Sequence, residues 1–156
     1  GNFRAVNSEA MSQGTRCRQL AEYVVFDSPL NMLCDSPSNY MKELECTRFI
    51  ASVPTVWDET RGIDGKVGEY IAMARRSGDV WYIGAMTDWN ARQLVLDLSF
   101  LPEGEYEVEL FRDGINADRA ASDYRKEIIP LDSSRQLPVS MASGGGFAAR
   151  IVAKGI

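Results

Sequence analysis

The run Glu105-Tyr106-Glu107-Val108-Glu109-Leu110 alternates polar and apolar residues without a break. A period of two admits a strand with one buried face and one wet face, and little else. Leu94, Leu96, Leu98 and Phe100 repeat the pattern. Residues 67–74 and 80–86 are apolar at successive positions, as central strands covered on both faces would be, and Ser77-Gly78-Asp79 between them is a hairpin turn signal. Pro102-Glu103-Gly104, Arg112-Asp113-Gly114 and Gly144-Gly145-Gly146 mark further turns. With residues 124–131, 137–142 and 147–153, the pattern predicts seven or eight short antiparallel strands, which implies a sandwich or barrel.

Ahead of Pro54 the grammar is different. Leu20, Tyr23 and Val24 fall at helical spacing within residues 15–26, Thr15 is placed to cap the start, and Pro29 closes the segment. Leu30-Asn31-Met32-Leu33-Cys34 is a short apolar run closed by Asp35-Ser36-Pro37. Ser38 can cap a second helix over 39–51, with Met41, Leu44, Phe49 and Ile50 as its apolar side. A short apolar run between two helices is the signature of a buried parallel strand. Such a strand needs parallel neighbours, and no other segment offers the same unit, so the expectation is that its partners lie upstream of Gly1. The opening Gly1-Asn2-Phe3-Arg4 reads as mid-protein sequence in keeping with this. The alternative is a helical hairpin packed on the later sheet.

Composition narrows the chemistry. No apolar run reaches the roughly 20 residues of a membrane span, and no charged and apolar leader opens the chain. A net charge of −5 argues against nucleic acid, which draws clustered Lys and Arg. The basic pair Arg75-Arg76 reads as a solvated turn. Three cysteines, Cys17, Cys34 and Cys46, show neither a disulfide framework nor zinc-site spacing and read as buried thiols. Histidine is absent, which removes Ser-His-Asp and Cys-His catalysis and every imidazole metal site. Any hydrolytic chemistry would have to rest on carboxylates.

Several blocks, in order along nearly the whole chain, closely resemble glycoside hydrolase family 97. They are Gly14-Thr15-Arg16-Cys17-Arg18-Gln19-Leu20-Ala21, Tyr23-Val24-Val25, Ser28-Pro29-Leu30 and Pro54-Thr55-Val56-Trp57-Asp58-Glu59-Thr60. Gly68-Glu69-Tyr70-Ile71, Ala74-Arg75-Arg76, Gly78-Asp79-Val80-Trp81-Tyr82-Ile83-Gly84-Ala85 and Leu98-Ser99-Phe100-Leu101 continue the series to the triple glycine. One departure is Arg18, where many members carry histidine. The resemblance implies a parent of three parts: an N-terminal β-sandwich, a catalytic (β/α)₈ barrel and a C-terminal β-sandwich. It also implies hydrolysis of α-linked oligosaccharides, either as an inverting α-glucosidase with paired glutamates near a calcium ion or as a retaining α-galactosidase with an aspartate nucleophile. Periplasmic or otherwise exported placement is implied in the same way. By family order the catalytic carboxylates and calcium ligands fall upstream of Gly1. The fold expected is therefore mainly β: an antiparallel sandwich over 54–156, preceded in 1–53 by the last helix–strand–helix segment of the barrel. Such a piece would be inactive alone, would complete and brace the barrel, and would tend to self-associate through surface the barrel normally covers. The competing class is a non-catalytic module that holds a glycan or a protein.

The candidate sites follow from that frame. Asp35 sits where a barrel strand would end, and barrel active sites lie at the C-terminal ends of strands. A carboxylate there could hydrogen-bond a sugar hydroxyl, or Asp35 could simply cap the next helix. Arg16 and Gln13 precede the first helix and could face substrate, or serve as cap and surface residues. Trp89, in Thr87-Asp88-Trp89-Asn90, is the aromatic best placed to stack on a sugar, whereas Trp81 belongs in the core. Asp58 and Glu59 are a carboxylate pair, but neighbours on a strand point to opposite faces, which argues against shared acid–base work. Glu43 and Glu45, two apart on a helix, are likewise off-face. Asp113, Asn116 and Asp118 are spaced loosely like calcium ligands without a recognisable loop pattern and read as a polar loop.

Overall fold

A computed structural model describes residues 14–26, 40–117 and 119–154. Two helices, α1 (Arg16–Val25) and α2 (Tyr40–Ser52), precede eight strands. These are β1 (Glu59–Lys66), β2 (Tyr70–Ser77), β3 (Val80–Thr87), β4 (Arg92–Asp97), β5 (Tyr106–Asp113), β6 (Tyr124–Leu131), β7 (Gln136–Met141) and β8 (Gly146–Ala153). Six of them form one antiparallel sheet in the order β1-β2-β3-β8-β5-β6, and β4 pairs with β7 as a second, smaller sheet. The apolar run 30–34 and the turn that follows it lie outside the described residues.

The sandwich interior is set by the alternation. Trp81, Ile83 and Ala85 of β3 stand opposite Ile151, Ala149 and Phe147 of β8, and Val108 and Leu110 of β5 continue the row. Leu96, Leu137, Val139 and Met141 close it from the smaller sheet. Burial of such side chains is worth about 1.5–3 kcal/mol each relative to exposure, so this layer contributes substantially to the stability.

The opposite face of the large sheet carries α1. Cys17, Leu20, Ala21 and Val24 recur at helical spacing and are all buried, so one stripe of the helix faces the sheet. Val24 and Leu20 pack with Tyr82, Phe111 and Ala148 in a second cluster. The helix approaches closely because β3 offers Gly84 beneath it. A Cβ there would lie 2.9 Å from the Ala21 carbonyl oxygen and 2.9 Å from Val25 Cγ2. Phe49 of α2 completes the cover, edge-on to both Tyr82 and Phe111.

Three local expectations change. Strand β1 was not visible in the sequence because Glu59-Thr60-Arg61-Gly62-Ile63-Asp64-Gly65-Lys66 has no apolar alternation; as an edge strand exposed on both sides it needs none. Leu98 and Phe100 do not extend β4, because the Asp97 carboxylate accepts the Ser99 N–H (3.0 Å) and turns the chain. On β5, Glu107 is open to water and Glu109 is half-buried and paired with Lys126 (3.3 Å). The same row then runs on to Phe111 and Asp113, which are buried.

Candidate functional site

The residues Thr15 to Arg18, which open α1, are bound to the sandwich at several points. Thr15 is fully buried and is the N-cap: its hydroxyl accepts the Arg18 N–H at 3.1 Å. The Thr15 N–H donates to Gly144 O (3.2 Å), and that of Arg16 to Ala121 O (2.8 Å). Arg18 reaches across to donate to Thr87 O (2.5 Å). Beneath them the Asp113 carboxylate accepts the Ala142 and Gly146 N–H groups (2.8 and 3.1 Å), which pins the β7–β8 turn. Burial pushes the Asp113 carboxyl above its ordinary range, while the Thr15 hydroxyl, those two N–H groups and the Arg18 charge pull the other way. This is a structural junction that ties helix to sheet.

Arg75, expected in a solvated turn, is only 8% exposed. Its guanidinium donates to Val24 O (3.3 Å), near the C-terminal end of α1, and lies 5.5 Å from the Trp57 ring centre. The sequence reading failed there because the partners come from segments 18 and 51 residues away. Burial also holds the Cys17 thiol well above its ordinary value, so it stays protonated and is no nucleophile. Cys46 is likewise buried and unbridged.

No pair of carboxylates is set up for glycoside hydrolysis among the described residues. Asp58 and Glu59 share the Arg76 guanidinium (3.9 and 3.3 Å), and Asp58 also accepts the Gly78 N–H (2.7 Å), so both brace the β2–β3 turn. Sequence spacing did not reveal a second convergence. Arg92 draws together Glu69 (3.3 Å) and Asp88 (3.4 Å), donates to Thr87 Oγ1 (2.9 Å), and stacks 5.0 Å from the Tyr70 ring. The Asn90 N–H and the Arg92 charge hold the Asp88 carboxyl below its usual range. A carboxylate kept ionised this way cannot supply the proton a leaving group needs.

Of the expected site residues, Asp35 and Gln13 lie outside the described residues, as does Asp118. Arg16 is half-buried at the first turn of α1. Trp89 is 61% exposed on the loop from β3 to β4, beside the Arg92 cluster. Its benzo ring rests over Gly144, where a Cβ would fall 2.5 Å from Cζ3, and its carbonyl accepts the Ser143 hydroxyl (2.7 Å). An exposed indole on a fixed backbone, flanked by Asp88 and Asn90, can present a ring face to a pyranose and hydrogen-bonding groups to its hydroxyls. The three tryptophans share no surface: Trp81 is in the sandwich core against Phe100, and Trp57 packs edge-on to Tyr82.

Among the described residues, no group of three or more cysteine, aspartate and glutamate side chains converges. The most buried carboxylate, Asp113, accepts the Ala142 and Gly146 N–H groups on one oxygen, Oδ2.

Residues 56–152 match the family model described as glycosyl-hydrolase 97 C-terminal, oligomerisation. The chain is 60% identical over 151 residues to a retaining alpha-galactosidase of Bacteroides thetaiotaomicron, a match covering 97% of this chain and 23% of that protein. Among solved structures, a glycoside hydrolase family 97 enzyme from Pseudoalteromonas sp. strain K8, in complex with panose, superposes with a TM-score of 0.80 at 38% identity. That match covers 91% of this chain and 23% of the enzyme. A beta-arabinopyranosidase gives a TM-score of 0.71 at 28% identity over 88% of this chain and 21% of its own. The chain thus spans less than a quarter of the length of each of these relatives.

Proposed function

The chain belongs to glycoside hydrolase family 97 through its C-terminal domain, and from that membership we propose that it serves as the non-catalytic C-terminal part of an α-galactosidase. Its roles are to complete and brace the catalytic barrel and to carry contacts between copies of the enzyme. The observation that carries this reading is the 60% identity to a retaining alpha-galactosidase over 97% of the chain. The way α1 is bolted to the sandwich agrees with a bracing role. In this reading 1–53 is the last helix–strand–helix segment of the barrel and 54–156 the accessory sandwich. The catalytic carboxylates and calcium belong to the rest of that barrel, α-galactosides are the substrate class, and the setting is exported. Asp35, Arg16 and Gln13 would stand at the barrel mouth toward the sugar.

The test is turnover of aryl α-galactoside and aryl α-glucoside by this chain, with calcium present. The expected result is none with either. Turnover that disappears on changing a carboxylate of this chain would overturn the assignment of catalysis to another part of the enzyme. A second reading, a module that holds a glycan, is favoured by one feature, the exposed Trp89. Loss of oligosaccharide binding on Trp89→Ala, measured by calorimetry, would support it.

A further inference from the structure

The six-stranded sheet ends on β1, and β1 has an unusual sequence for an edge. Its charges run Glu59, Arg61, Asp64, Lys66, negative and positive in turn, antisymmetric about the midpoint between Gly62 and Ile63. Turned antiparallel onto a second copy of itself about a two-fold axis at that midpoint, the strand sets Glu59 opposite Lys66 and Arg61 opposite Asp64. The two-fold repeats both pairs, giving four complementary juxtapositions.

Charge order alone is not sufficient, because residues directly opposite in an antiparallel pair must point to the same face. In a regular strand Glu59 and Lys66, seven residues apart, would point to opposite faces. Strand β1 is not regular. Its pairing with β2 slips between Gly62 and Asp64, and Ile63 is the extra residue of a bulge. As a result Glu59, Arg61, Asp64 and Lys66 stand opposite Arg76, Ala74, Ala72 and Tyr70, alternate residues of β2. All four charges therefore share one face. The bulge, which commonly blunts an edge strand, sits here on the proposed axis and makes the charge-matched register possible.

The other strand edges lack this match. Strand β6 carries Pro130 and β7 carries Pro138, each removing an N–H from the ladder. Strand β4 opens with Arg92 and ends with Asp97, but its register with β7 is continuous, so these charges lie on opposite faces. Strand β1 contains no proline, and apart from the half-buried Glu59 and Ile63 its residues are exposed.

We propose that two copies of this chain associate through β1, in antiparallel register about Gly62 and Ile63, to make one continuous twelve-stranded sheet. This rests on the assembly role argued above and specifies its surface and symmetry. An isologous two-fold contact closes on itself and yields a dimer rather than a fibre.

The closing experiment is zero-length carbodiimide cross-linking of a mixture of ¹⁴N- and ¹⁵N-labelled chains, read by mass spectrometry. Within one chain Glu59 and Lys66 lie roughly 23 Å apart along the strand, so a direct amide between them forms only between copies. The expected product is a mixed-isotope peptide joining Glu59 to Lys66. By sedimentation, Lys66→Glu should weaken self-association about 10-fold, because two cross-strand attractions become repulsions. Glu59→Lys should do the same, and mixing the two single variants should restore association, since each supplies the charge the other needs. A dimer that yields no such peptide and ignores Lys66→Glu overturns the β1 pairing while leaving assembly through another surface intact. A wild-type chain that stays monomeric throughout overturns both.

Discussion

One face of the six-stranded sheet is sealed by a second sheet and the other by a helix, and the two seals use different chemistry. Between the sheets the contacts are apolar side chains such as Ile83, Leu96, Val108, Leu137, Phe147 and Ile151, and their contribution scales with the area they remove from water. Under α1 much of the fit is made by atoms with a single suitable partner. Gly84 lets the helix backbone approach, Thr15 caps it, Arg75 answers a carbonyl near its far end, and Asp113 fixes the turn it rests on. An apolar layer tolerates exchange of one hydrophobic shape for another of similar volume. A seal built from backbone approach and buried polar groups does not, because each unmet group costs about 1–3 kcal/mol.

The comparison is broken most directly from the sandwich side. Phe147 is 1% exposed in the middle of the apolar layer, and Phe147→Ala should cost about 3–5 kcal/mol. The urea midpoint of the whole transition should fall accordingly. A loss below about 1 kcal/mol would mean that the layer repacks freely and that the sandwich is not the main source of stability. The helix side is addressed by Gly84→Val, which should cost about 1–3 kcal/mol by forcing α1 off the sheet. Amide exchange should then rise in residues 16–25 while β5 and β6 keep their protection. Equal loss of protection in β5 and β6 would show that the two seals open as one unit.

The same contrast explains what could be read in advance. The alternation in Glu105 to Leu110 gave β5 within a few residues, and Thr15 as the cap of α1 followed from its side-chain chemistry and position, both of which are local signals. The family blocks identified the domain. Strand β1 was missed because an edge strand exposed on both faces carries no hydrophobic period. The two-strand extent of the smaller sheet depends on β4 finding β7, about 40 residues away, rather than on the strands themselves. Arg75 looked like a surface charge because its partners, Val24 and Trp57, belong to other elements. The convergence of Glu69 and Asp88 on Arg92 was hidden for the same reason, since the β1–β2 turn and the β3–β4 loop meet only in the fold.

The smallest expected effect separates the two seals by charge rather than by volume. Apolar burial between the sheets has no direct dependence on pH, whereas the helix seal contains Asp113, whose carboxyl is raised above the ordinary aspartate value chiefly by burial. A raised value means that the folded chain holds a proton the unfolded chain has already lost. Between the ordinary and the raised value the folded state therefore binds more protons, and the contribution of Asp113 to stability falls as pH rises through that window, then levels off. Asp88, Asp97 and Glu127 are shifted down by hydrogen bonds and by Arg92 or Arg112, and they lose their contribution as pH falls. The raw stability curve thus mixes both signs, and the informative quantity is the difference between wild type and Asp113→Asn. Asparagine can still accept the Ala142 and Gly146 N–H groups but does not titrate. Urea midpoints of the two proteins, taken from about pH 4 upward, should shift in favour of the variant as pH rises and then run parallel. A difference that moves toward wild type with rising pH would mean that the N–H groups and Arg18 outweigh burial at Asp113, and that the junction under α1 favours the carboxylate rather than the acid.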